Sequence, residues 1–309
     1  MENVAPQDER SHILKRIEDI GKRDVDAGDA SGQLLGYLQS QDAEVVLAAL
    51  QATWNYVKDE PLFRRVLELA QRHDDEEVRG MANSCLGTLL RDGLAYEDDL
   101  PDEWQPSPPH IDGGFYQEAK DQLLNRVDAL MESMEVRRRC VEALGYLSYK
   151  PEIRDLILRY YHQAPNPWVK VSSIFAMGLH RDPIFERLIL EELHSDNENI
   201  LLEAVHAAGT LELHEAENRL VELSLSPQVE LRCEAIVSLG LAAKPSRVPE
   251  LLKALGERFT DPDTREAIEL AGQSLEQKSK LEAGNPIWDD GLILGEIEDM
   301  IADPNSGND

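Results

Sequence analysis

A histidine beside a glutamate could supply metal ligands, and the chain holds one such pair, His214-Glu215. A two-metal site draws its ligands from several helices at once, so a single pair predicts a surface residue at a helix start and no metal. The only basic cluster is Arg137, Arg138 and Arg139, and its helix also carries Glu135 and Glu142. That predicts Arg137 in an inter-repeat contact and the other two paired with neighbouring acids, with no groove for phosphates. Three cysteines (Cys85, Cys140, Cys233) stand far apart with no CxxC pair, and are predicted as buried packing residues. Nucleophile-elbow, phosphate-loop and nucleotide-fold signatures are absent. No catalytic residue, metal or cofactor is predicted.

The elements that would position any site follow from a repeat. Six segments align on Val78, Val136, Val169, Ile200, Leu231 and Thr264, spaced 58, 33, 31, 31 and 33 residues apart; the first interval is one period plus an insertion. Within each, apolar or small residues fall at 0, +4, +8 and +11, as in Val136, Cys140, Leu144 and Leu147, which is a helical stripe. In five of them a glycine stands at +9: Gly87, Gly145, Gly178, Gly209 and Gly240. Glycine costs a helix interior about 1 kcal/mol relative to alanine, so its recurrence predicts close helix-to-helix approach between repeats. A second amphipathic run precedes each segment, and four of these open on Pro61, Pro151, Pro183 or Pro249, where proline's missing N–H costs nothing. Paired antiparallel helices that bury their apolar faces only by stacking make an all-α solenoid, here of about seven pairs.

The order of acid or Asn, Val-Arg, small residues and Leu-Gly (Asp75, Val78, Arg79, Leu86, Gly87; Val136, Arg137, Leu144, Gly145) resembles the HEAT family, especially its short bacterial units of the phycobilisome-lyase type. The resemblance spans about residues 30 to 275 and implies a superhelix of helix pairs. Lys170 and Leu201 depart from the family's arginine, and a first unit, aligned on DAEVVLAALQATWNYV, has Trp54 where the glycine should be. Three enzyme types share this kind of scaffold. A deoxyhypusine-hydroxylase-like iron site would need several His-Glu pairs, a DNA-glycosylase-like groove would need a cationic aromatic face, and no motif singles out a bilin site.

The predicted organisation is an N-terminal helix or cap over 1–28, repeats over 29–93, an acidic proline-rich insertion over 94–114, further repeats over 115–275, and an acidic tail over 276–309 holding a short amphipathic helix. The insertion carries six acids, no basic residue and four prolines, with Trp104 a candidate anchor. The last 29 residues carry eight acids and no basic residue, with Trp288, Ile293 and Ile297 as candidate anchors. The formal charge is -29, from 60 acidic and 31 basic residues, which disfavours nucleic acid and anionic membrane as partners. With no apolar run long enough for a bilayer and no signal-like N-terminus, the chain is predicted to be cytoplasmic.

Positions +3, +6 and +10 turn to another side of each repeat helix and form ladders: Arg139, Glu142, Tyr146; Ser172, Phe175, Leu179; Glu203, His206, Thr210; Glu234, Val237, Leu241. Mixed acid, aromatic and aliphatic residues suit a basic, partly apolar segment of another protein or peptide. The predicted function is a non-catalytic scaffold or adaptor; the alternative is a lyase-like or chaperone-like helper in covalent cofactor attachment.

Overall fold

The computed structural model describes residues 6–22, 29–54, 56–57, 59–96, 111–147, 150–244 and 248–282. They form helices α1 (Pro6–Gly21), α2 (Ala30–Tyr37), α3 (Ala43–Thr53), α4 (Glu60–Arg72), α5 (Glu76–Asp92), α6 (Gly113–Val127), α7 (Met134–Leu144), α8 (Pro151–His162), α9 (Pro167–His180), α10 (Glu186–Glu192), α11 (Glu198–Thr210), α12 (Glu217–Leu223), α13 (Val229–Ala242), α14 (Val248–Arg258) and α15 (Pro262–Glu282). Among the described residues there is no strand. From α2 onward they make seven pairs, an even-numbered outer helix followed by an odd-numbered inner one, stacked as a HEAT-like solenoid. Each inner helix packs on the next, from α1 against α3 through to α13 against α15. No helix among the described residues is long and apolar enough to cross a membrane.

Six of the inner helices, α3, α5, α7, α9, α11 and α15, start at a capping side chain. Three residues before the aligned position stands Asp42, Asp75, Ser133, Asn166, Asn197 or Asp261, and its oxygen accepts from the helix's first free N–H groups. Such caps are worth about 1 kcal/mol each. Gln228, at the same place before α13, makes no cap.

The glycine spine is a set of near-backbone contacts with a small residue at +7 of the following inner helix. A Cβ on Gly209 would stand 2.9 Å from Ser238 Cα, and one on Gly240 would stand 2.6 Å from Ala271 Cα. Gly178 is looser, with Ala207 at 3.5 Å. The spine extends backward to α1, where Gly21 faces Ala52.

Arginines tie the loops. One position past the alignment residue, Arg79 donates to the His73 carbonyl at the end of α4 and to Glu132 (2.9 Å). Arg137 donates to the Val127 carbonyl (2.9 Å) and to the Tyr160 hydroxyl of the next unit (3.0 Å). Arg232, 4% exposed, reaches the Ser226 carbonyl, Thr264 and Asp261, and its guanidinium lies over Phe259. Where Lys170 replaces the arginine it pairs with Glu192 and covers Tyr161. A second set, not foreseen from the repeat, sits on outer helices. Arg65 donates to the Leu38 carbonyl, Arg126 to that of Gln71 and Arg219 to that of Leu193, each at the end of the preceding outer helix.

Segment boundaries differ from the sequence reading at both interruptions. Asp112 caps α6, so that helix begins at Gly113, inside the stretch assigned to the insertion. The insertion's described ends are anchored, with Ile111 buried and Tyr96 donating to its carbonyl at 2.9 Å. At the other end α15 runs to Glu282, past the assigned start of the tail. Trp104, Trp288, Ile293 and Ile297 lie outside the described residues. Of the cysteines, Cys85 and Cys140 are buried and Cys233 is only half-buried.

Candidate functional site

The inner helices enclose a groove of about 590 Å³ that starts at Leu14 of α1, crosses α3, α5, α7 and α9 and ends on α11. Five residues of the predicted ladders line it: Arg139, Glu142, Tyr146, Phe175 and Glu203. Ser172 is fully buried behind it. His206, Glu234 and Val237 stand beyond its C-terminal end, because the groove lies nearer the N-terminus than the ladders placed it. The remaining wall includes Leu47, Gln51 and Trp54 from the first unit, Met81, Ser84 and Thr88 from α5, and Trp168 and Val171 from α9. Met81, Ser84 and Thr88 are at +3, +6 and +10 from Val78, so the same rule applied one unit earlier finds them.

Trp54 has a different origin. It takes the glycine's place at +9 in the first unit, and α3 stops one residue before it. The side chain stays beside Cys85, at +7 of α5, and is also among the groove's lining residues. Burial pushes the Cys85 thiol's pKa up, and the neighbouring Trp54 side chain opposes part of that rise, although the indole N–H makes no hydrogen bond.

The charged side chains of the groove differ sharply in how they are satisfied. Arg138 and Arg139 each bind both Glu135 and Glu142, at 3.1 Å from Arg138 to Glu142 and 3.2 Å from Arg139 to Glu142. Glu142 raises the Arg139 pKa further, against burial, with Glu135 adding to it. The Ser172 hydroxyl also donates to Glu142. Arg138 and Arg139 are therefore neutralised within their own helix, while Arg137 is held by the Val127 carbonyl and the Tyr160 hydroxyl. Glu234 is held by His206 at 3.2 Å and by Ser238, while the His206 ring stacks on Phe175 with centroids 6.2 Å apart.

Glu203 is different. Its Oε1 is buried with no hydrogen-bond partner, as is Ser84 Oγ in the same groove. Burial raises the Glu203 pKa to about 7; His206 opposes the rise, and Glu234 and Glu142 add to it.

His214 is exposed and bonds the Ala242 carbonyl. No group of three or more metal-ligating side chains occurs among the described residues.

No protein-family model and no curated protein matches the sequence. Some solved structures align with most of the chain, with TM-scores below 0.5. YibA of E. coli is 13% identical over 89% of this chain and 98% of its own, with a TM-score of 0.41. The CpcE–CpcF complex of phycocyanin lyase from Nostoc sp. is 17% identical over 79% and 94%, with a TM-score of 0.46. Human deoxyhypusine hydroxylase is 16% identical over 87% and 99%, with a TM-score of 0.37. The chain's own stacked pairs define it as an all-α, HEAT-like solenoid.

Proposed function

We propose that the chain is a non-catalytic protein-binding scaffold that takes an extended segment of another protein along its inner helices. The observation that supports this reading is the groove itself. Its volume is in the range of specific binding clefts, it has Trp54, Tyr146, Trp168 and Phe175 among its lining residues, and its two arginines are already neutralised by acids of their own helix. Large rigid aromatic side chains supply contact area at low entropic cost. The chemistry left for a partner is apolar and acidic, which suits a segment that combines aliphatic or aromatic residues with positive charge.

The reading is tested by affinity purification from the native host with the full chain, with Trp54→Ala and with Phe175→Ala, followed by mass spectrometry. An unmodified protein at fixed ratio that both variants lose is the expected result. Co-purification of a chromophore or of a covalently modified protein would favour the helper role in cofactor attachment. A partner retained by both variants would move the binding face elsewhere.

A further inference from the structure

Resting on the reading of the groove as a segment-binding site, we propose that Glu203 is its anchor, receiving the ammonium or guanidinium of one lysine or arginine side chain flanked by large apolar residues. Three acids of the inner face, Glu142, Glu203 and Glu234, occupy comparable ladder positions, but only Glu203 has an oxygen both buried and unpartnered. Glu142 is consumed by two arginines and a serine, and Glu234 by a histidine and a serine. A buried carboxylate without a donor is costly, and a cation brought to it by a ligand removes that cost. Both arginines of the lining are neutralised, Glu44 is exposed and paired with Arg10, and Glu77 is exposed at the rim, so among the described residues Glu203 holds the one buried, unpartnered carboxylate oxygen of the groove. That count favours one basic residue set between apolar ones over a run of basic residues. The aromatic walls strengthen the preference, because rings attract cations across their faces. The chain's own acidic segments cannot supply the group, since neither 94–114 nor 281–309 contains a lysine or arginine.

The ionisable groups acting on Glu203 are His206 on its own helix, Glu234 on α13 and Glu142 on α7, while the facing ladder residues of α9 are the uncharged Ser172 and Phe175. Binding a cation there displaces whatever proton Glu203 carries, so affinity follows pH.

The test uses the full chain and a displayed library of random nonapeptides, keeping peptides whose binding is lost in Trp54→Ala or Phe175→Ala, with circular dichroism confirming that each variant is folded. Retained peptides should carry one lysine or arginine between apolar residues. Replacing that residue by norleucine or citrulline should weaken binding about tenfold or more, Glu203→Gln should weaken it equally, and combining the two should add nothing. Glu250→Gln, which removes the same charge from outer helix α14, should leave affinity unchanged. The cationic peptide should bind up to about tenfold more tightly at pH 8 than at pH 6, and Glu203→Gln should abolish that difference. Groove-dependent peptides that lack a cation, or that ignore Glu203→Gln, overturn the anchor and leave the groove reading standing. A library without any groove-dependent binder overturns both. Equal affinity for free spermidine overturns the anchor as well, since the apolar walls would then take no part.

Discussion

The glycine spine and the groove are built from the same inner helices, yet one is uniform where the other is not. Along the spine the +9 glycine and the +7 small residue meet unit after unit, from Gly87 on Ala143 to Gly240 on Ala271. At the junction where the glycine is a tryptophan, Trp54 beside Cys85, the side chain also lines the groove. The contrast teaches that repetition supplies rigidity and its interruption supplies a binding wall. Breaking the spine should therefore lose stability, whereas removing the groove's unsatisfied carboxylate should gain stability and lose ligand.

The largest expected effect comes from Arg232, buried and tied to a carbonyl, a hydroxyl and a carboxylate. Arg232→Ala should cost about 3 kcal/mol, since it leaves those partners unsatisfied. Chemical denaturation would measure it, and a loss below about 1 kcal/mol would mean the arginine ladder is ornamental. Gly240→Leu comes next, at about 2 kcal/mol, because a side chain there meets the Ala271 backbone. Helix propensity alone gives the opposite sign, so a stabilised variant would refute the packing role of the spine.

Glu203→Gln should instead stabilise. Its raised pKa means that the folded state holds a proton the unfolded state gives up between about pH 4.5 and 7. Wild-type stability from this group is thus present at low pH and is lost as pH climbs to about 7. Melting curves should show the variant gaining about 1–2 kcal/mol over the wild type at pH 8 and little at pH 5. A pH-independent gap would show that the carboxylate is satisfied. Smallest is Gly178→Ala, where 3.5 Å is ordinary contact and the new methyl group should add up to about 1 kcal/mol. If it destabilises as Gly209→Ala should, the spine is uniformly tight and the difference between those two glycines is void.

The repeat was readable because its signals are local. The cap three residues before Val136 or Ile200, the stripe that follows and the glycine at +9 all lie within one helix. The partner of that glycine was less visible, being a small residue two positions earlier in the next unit, and small residues at +7 look unremarkable until the helices are stacked. For the groove, the ladder rule found Glu142, Phe175 and Glu203 but was started one unit too late, and so passed over Met81 and Ser84. It also treated three glutamates alike. The sequence holds the distinction, since Glu142 has Arg138 and Arg139 four and three residues before it, whereas Glu203 has Asn199 and Ile200. Trp54 registered only as a missing glycine, because where a displaced side chain goes depends on neighbours from other units.

The outer arginines give the stack a mechanical asymmetry. Inner helices meet almost backbone to backbone, with nothing between them to compress or stretch. Outer helices of successive pairs touch sparsely, and several are linked through one long side chain reaching a carbonyl, as Arg219 reaches Leu193. Bending therefore has its neutral line along the glycines, and the solenoid changes curvature by fanning its outer edge, as a book opens about its spine.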